Sequence, residues 1–161
     1  MQPYATNSTT VTGAAQDLRA VLETAPPLLE RISDAQAAAP RRPGGWSRKE
    51  ILGHLLDSAA NNHHRFVRAQ MEAELVMPGY AQEEWVSAQK YQGRAWSDLI
   101  AFWILYNRHL AHVMETAPPA TLQRACRIGG ADAVTLEFLM IDYVVHLKHH
   151  LAQILGDSIL Y

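Results

Sequence analysis

The sequence predicts an all-α fold, a four-helix bundle, and three observations carry that expectation. Proline and glycine cut the chain into four helix-sized pieces. Within each piece the apolar residues recur three and four apart, the period of a helix with one buried face. Ser47-Arg48-Lys49-Glu50 reads as a capping box, a serine N-cap with a glutamate three residues on. At 161 residues and 48% hydrophobic, the chain is long enough to bury a sizeable core as one domain over 1–161, and four helices in such a chain pack as a bundle.

The elements follow in order. Residues 1–11 are polar and read as a flexible N-terminus. The first helical piece runs from about Thr12 to Ala37, with Leu18, Val21, Leu22, Leu28, Leu29 and Ile32 as its apolar positions. Pro26-Pro27 interrupts it with a kink or splits it in two, since proline lacks the amide donor and clashes with the preceding turn. Pro40 to Gly45 is a loop. The second helix starts at Ser47, with Trp46 placed to staple onto its first turn. It continues through Ile51, Leu55, Leu56 and Phe66 to about Leu75, and Met77-Pro78-Gly79-Tyr80 ends it. A long loop over 77–94 separates helices two and three, with a short helix expected around Glu83 to Ala88. Connections of that length are uncommon without a purpose. The third helix opens at Ser97-Asp98, an N-cap signal, and stops before Pro118-Pro119. Thr121 to Asp132 is an extended or irregular crossing. The fourth helix begins near Thr135, capped by Asp132 or Thr135, and runs to about Leu155, where Gly156 is a natural terminator.

Composition excludes several classes. The formal net charge is −2, from 14 basic and 16 acidic residues, and no basic stripe suits a nucleic acid. Cys126 is the only cysteine, which rules out an intrachain disulfide and thiolate-rich structural zinc sites. The N-terminus lacks the charged and apolar regions of a secretory signal. The longest apolar runs, such as Leu99 to Tyr106, are too short for a membrane span. The default location is therefore cytoplasmic.

Eight histidines set the functional question. His146 and His150 are four apart on the fourth helix, so both can face one ion. His54, from the second helix, would complete a three-imidazole site with an open position, the catalytic kind of metal site. Asp142 stands one turn before His146, where a carboxylate can orient a ligating imidazole. On the second helix Asp57, Asn61 and Arg65 continue a polar row from His54. Such a row is either the solvated face of the helix or one side of an internal cleft, and most isolated H-x-x-x-H pairs are surface residues. The sequence leaves both readings open. His109 and His112 form another candidate pair. The glutamate of H-E-x-x-H is missing, since Leu147 stands in its place, and the Glu-x-x-His pattern of di-iron bundles is absent.

Gly45-Trp46-Ser47, His54-Leu55-Leu56-Asp57-Ser58 with Asn61, Arg65-Phe66, Pro78-Gly79-Tyr80 with Glu84-Trp85, and His146 and His150 followed by Leu151-Ala152-Gln153-Ile154 together resemble the DinB-like superfamily of bacterial four-helix metalloproteins. The resemblance is strongest to its YfiT branch, which includes bacillithiol S-transferases and proteins described as metal-dependent hydrolases. It covers most of the chain from Gly45 onward. The branch often carries a further histidine after the Asp-Ser pair, where this chain has Ala59 and Ala60. The resemblance implies a divalent metal ion, zinc or nickel, held by His54, His146 and His150, and a homodimer.

Three neutral imidazoles leave a divalent ion able to acidify whatever enters its open position. Two reactions are expected on a small-molecule substrate: transfer of a low-molecular-weight thiol to an electrophile, or hydrolysis. Asp57 is the candidate base, Asp142 the candidate histidine orienter, and Asn61, Arg65, Tyr80 and Trp85 the candidate cleft lining. A metal-activated thiol needs little base assistance, which favours transfer. The rival class is a non-catalytic metal-binding or stress-inducible protein; a fourth protein ligand closing the metal's coordination would favour it.

Overall fold

The computed structural model describes residues 8–156. In chain order its helices are α1 (Val11–Thr24), α2 (Pro26–Leu29), α3 (Asp34–Ala38), α4 (Arg48–Ala69), α5 (Gln82–Gln89), α6 (Trp96–Thr116) and α7 (Leu136–Leu155). The four long ones, α1, α4, α6 and α7, form the expected bundle. Both α1 and α4 pack against α6 and α7, so α1 and α4 occupy one diagonal. Helices consecutive in the bundle are therefore not all neighbours, as the long connections allow. None of the described helices is long and apolar enough to cross a membrane. Of the N-terminal segment expected to be flexible, residues 1–7 lie outside the described residues. Thr10 already caps α1, its Oγ1 accepting from the Gly13 amide at 3.2 Å.

The proline pair acts as predicted. α1 ends at Thr24, and Pro26 opens α2 in a first turn, where a missing amide costs nothing. Ser33 and Gln36 then make a capping box at α3, and Ser47 and Glu50 make the one expected at α4. The second helix is shorter than its sequence suggests. It ends at Ala69, and Glu74–Met77 is a strand, β1. Leu75, read as helical, is fully buried there beside Cys126 of β2 (Ala125–Ile128), to which β1 runs parallel. A single inward leucine satisfies either period, so spacing did not separate the two. β3 (Val134–Thr135) pairs antiparallel with β2, and this small sheet includes the crossing expected after Pro118-Pro119. Thr135 then caps α7, its side chain accepting from the Phe138 amide.

The start of α6 is also corrected. The helix begins at Trp96, and neither Ser97 nor Asp98 is its N-cap. The cap comes from elsewhere in the chain: the Trp96 amide donates to Asp34 Oδ1 at 2.9 Å. The same carboxylate lies 2.9 Å from Lys49 Nζ, which also donates to the Arg94 carbonyl at 2.8 Å. Lys49 is only 3% exposed, so one buried ammonium ties α3, the start of α4 and the approach to α6.

α5 forms where the short helix was expected, and it is held onto α4 through Asp57. Tyr91 Oη donates to Asp57 Oδ1 at 2.5 Å, and Gln89 Nε2 donates to the same oxygen. Tyr91 reaches that position by lying on Gly53, where a Cβ would sit 2.1 Å from the Tyr91 ring. Alanine is normally the better helix former by up to about 1 kcal/mol. Here overpacking, which costs roughly 1–3 kcal/mol, outweighs that gain. Gly53→Ala should therefore lower stability in urea denaturation, against the helix-propensity trend; an unchanged or raised midpoint would show that Tyr91 yields freely.

Candidate metal centre

α4 and α7 meet along a seam, and His54 sits in it fully buried, next to Leu55 and Leu52 of the core. From α7, His146 and His150 reach the same point, both half-buried. The three rings meet nearly edge to face, with centroids 5.1 Å apart for His54–His146, 4.7 Å for His54–His150 and 4.5 Å for His146–His150. His54 Nε2 and His146 Nε2 are 3.2 Å apart. One nitrogen from each of the three residues can be chosen so that all lie within 4.8 Å of one another. Two bonds of about 2.05 Å to one ion at a tetrahedral angle separate their nitrogens by about 3.4 Å. The facing pair is therefore already near ligating separation.

The electrostatics agree. Burial pushes His54 down to about 4, helped by the neighbouring His150. Burial pushes His146 down to about 3, with His150, His54 and His149 adding to it. His150 is lowered by burial too, opposed by its hydrogen bond to Gln153. At neutral pH all three are neutral imidazoles with lone pairs to offer. Nδ1 of His54 and of His146 are buried without hydrogen-bond partners, and unmet polar atoms of this kind cost about 1–3 kcal/mol each. A cluster of neutral imidazoles with few protons to share and no carboxylate among them suits a divalent cation, which satisfies several lone pairs at once. No fourth His, Cys, Asp or Glu joins the group among the described residues, so an ion there would keep an open position.

The groups around the ligands differ from those expected. His150 Nδ1 lies 2.9 Å from Gln153 Oε1, and Gln153 Nε2 lies 3.1 Å from His149 Nε2. Gln153, three residues after His150, thus orients that ring; its spacing was the available signal. Asp142 is exposed and makes no hydrogen bond to His146. Asp57 is 2% exposed, and its Oδ1 is engaged by Tyr91 and Gln89 while Oδ2 has no partner. Burial raises its carboxyl above the usual range.

A cleft of about 570 Å³ opens onto His150, walled by Trp46, Gln153, Arg41, Arg42 and Glu83 among others. Trp46 also packs on His54, ring centroids 5.2 Å apart. Asn61, Arg65, Tyr80 and Trp85 do not line this cleft. Asn61 donates to the Asp57 carbonyl within α4, and Arg65 leans on Asn62. Tyr80 stacks edge-on with Trp85 at 5.3 Å; burial raises its hydroxyl, as does the nearby Asp57. Trp85 borders a separate hollow with Glu84, Ala88 and Gln89. Sequence reasoning did not single out Arg41, Arg42 or Glu83 as cleft residues, because charged loop and surface positions carry no local mark of facing a cleft. His63, His109 and His112 cluster between α4 and α6, His63 bonding the Tyr106 hydroxyl at 3.1 Å. They do not form a three-ligand group.

The family model described as the DinB superfamily matches residues 17–154. A protein of Geobacillus thermodenitrificans with the provisional name of metal-dependent hydrolase is 29% identical over 128 residues, 78% of this chain and 71% of the relative. YfiT of Bacillus subtilis, with the same provisional name, is 26% identical over 139 residues, 83% of this chain and 78% of YfiT. The solved structure of Bacillus subtilis YfiT, described as having an unusual four-helix bundle topology, shares this fold with a TM-score of 0.74 at 24% identity, covering 93% of this chain and 88% of that one.

Two outcomes test the centre. In the metal-free protein, His54 and His146 titrate at about 4 and about 3, against about 6.5 in an unfolded chain. Between those values the unfolded state binds more protons, so stability rises with pH. Melting temperatures of metal-free protein should fall steadily on acidification from about pH 7 to pH 5, and less steeply in His146→Leu. Loss of the ring-orienting partner in Gln153→Leu should weaken zinc binding roughly 10- to 100-fold in chelator competition; unchanged affinity would remove Gln153 from the site.

Proposed function

The chain belongs to the DinB superfamily, and from that membership and the converging imidazoles we propose that it is a metal-dependent enzyme acting on a small molecule. His54, His146 and His150 would hold one divalent ion. Three nitrogen donors favour zinc or nickel over magnesium or calcium, which prefer oxygen. Such an ion supplies the acidity that ionises a water or thiol entering its open position. The observation that carries the reading is the placing of three neutral imidazoles within ligating distance at the end of a cleft. The metal-dependent hydrolase names of the relatives support it.

The chain's own residues do the rest. Gln153 keeps the His150 ring in place, and Trp46 covers His54 on the cleft side. Asp57 serves as a positioning residue, joining α5 to α4 through Tyr91 and Gln89. Glu83 is the single carboxylate among the described cleft-lining residues and a candidate proton acceptor for an entering group. With so little base chemistry on the wall, transfer of a low-molecular-weight thiol to an electrophile is favoured over hydrolysis. Assembly as a homodimer rests on the family resemblance, and a cytoplasmic location on the composition of the sequence.

Metal analysis of wild type and His146→Ala is the first measurement. Wild type should carry about one equivalent, as three ligands and an open position imply, and the variant close to none; equal content in both would end the metal reading. Metal-loaded protein should then accelerate the reaction of monobromobimane with a thiol. No rate above background with any thiol tried, alongside hydrolysis of an activated ester, would replace transfer with hydrolysis.

A further inference from the structure

The loop that precedes α4 faces the metal-centre cleft, and its construction is specific. Pro40 and Ser47 pair across its base in an antiparallel bridge. Within it the Gly45 amide donates to the Arg42 carbonyl at 3.1 Å, and Gly44 takes a φ of +71°. With Pro43 before that glycine, this is the sequence and geometry of a type II turn. Gly45 has no side chain for a reason: a Cβ there would lie 2.7 Å from Arg42 Cγ and 3.1 Å from its Nε. The Arg42 side chain thus lies across the Gly45 backbone and forms part of the cleft wall, beside Arg41.

Neither guanidinium has an ion-pair partner among the described residues. Among the described residues they face one carboxylate in the cleft, that of Glu83. Two arginines against one glutamate leave a net positive wall, and a divalent ion at the histidines would add to it. Guanidinium stays charged throughout the working pH range and matches carboxylate or phosphate oxygens with paired donors.

We propose that the cleft selects a small molecule carrying an anionic group, a carboxylate or phosphate, which Arg41 and Arg42 hold while its reactive end reaches the His150 side of the metal centre. This deepens the metal-enzyme reading and rests on it for the reactive end. The arginines are tested separately from the metal.

Calorimetric titration of the zinc-loaded full chain compares N-acetylcysteine with its carboxamide, which keeps the thiol and removes the charge. Wild type should bind the acid about tenfold more tightly, the worth of one charge-assisted pair. That preference should collapse in Arg41→Ala/Arg42→Ala at unchanged zinc content, and fall in Gly45→Ala, whose Cβ displaces Arg42. N-acetylalanine and its amide repeat the comparison without a thiol, so a failed metal reading is told apart from a failed arginine reading. Methyl phosphate, run beside N-acetylalanine, identifies the preferred anion, and either bound above the amide supports the proposal. Equal affinity for acid and amide in wild type overturns it. So does a preference that survives the double substitution, or loss of zinc from the double variant, which would make the arginines a support of the metal centre instead of a ligand contact.

Discussion

The contact of α4 with α7 is the constraint on which the rest depends. It buries three imidazoles against one another with no carboxylate among them, and leaves two ring nitrogens without partners. A core built for stability alone would carry leucine there, as the core does at Leu55 and Leu147. The histidines are tolerated because desolvation keeps them neutral, and neutral imidazole is the form that ligates a metal. The same burial that is expected to weaken the metal-free fold in acid thus keeps the imidazoles in the form the proposed ion would need.

Around that seam the fold supplies rigidity on one side and access on the other. Lys49 and Asp34 tie α3, α4 and the start of α6, and Asp57 ties the α5 segment, so α4 presents His54 from a helix braced at two places. The open side is the loop from Pro40 to Ser47, whose turn is set by Gly44 and Gly45. A braced helix beside an entrance loop is the arrangement the proposed metal site would need.

The chain belongs to the DinB superfamily and shares its fold with Bacillus subtilis YfiT, a four-helix frame in which the bundle neighbours here do not follow chain order. That arrangement matters to the site. His54 and the α7 histidines are 92 residues apart in the case of the bonded pair, and they meet because α4 and α7 are direct neighbours in the bundle.

The sequence by itself determined what depends on residues within a turn or two of one another. The proline break after α1, the Ser47–Glu50 box, the Thr135 cap, the short α5 and the one-face spacing of His146 and His150 are all local, and each is present. The motif order also carried His54 into the set, through a family resemblance and not through any rule of spacing. Tertiary structure decided the rest. Leu75 became a strand residue because Cys126 was there to pair with it, and Asp34 capped α6 from a distant segment. Gln153 proved to be the partner of His150, while Asp142, equally well spaced on paper, is exposed. The walls of the cleft, Arg41, Arg42 and Glu83, come from segments about 40 residues apart in the chain. Hydrogen bonds along a helix are encoded in neighbouring residues; which face of that helix meets which partner is encoded only in the packing of the whole chain.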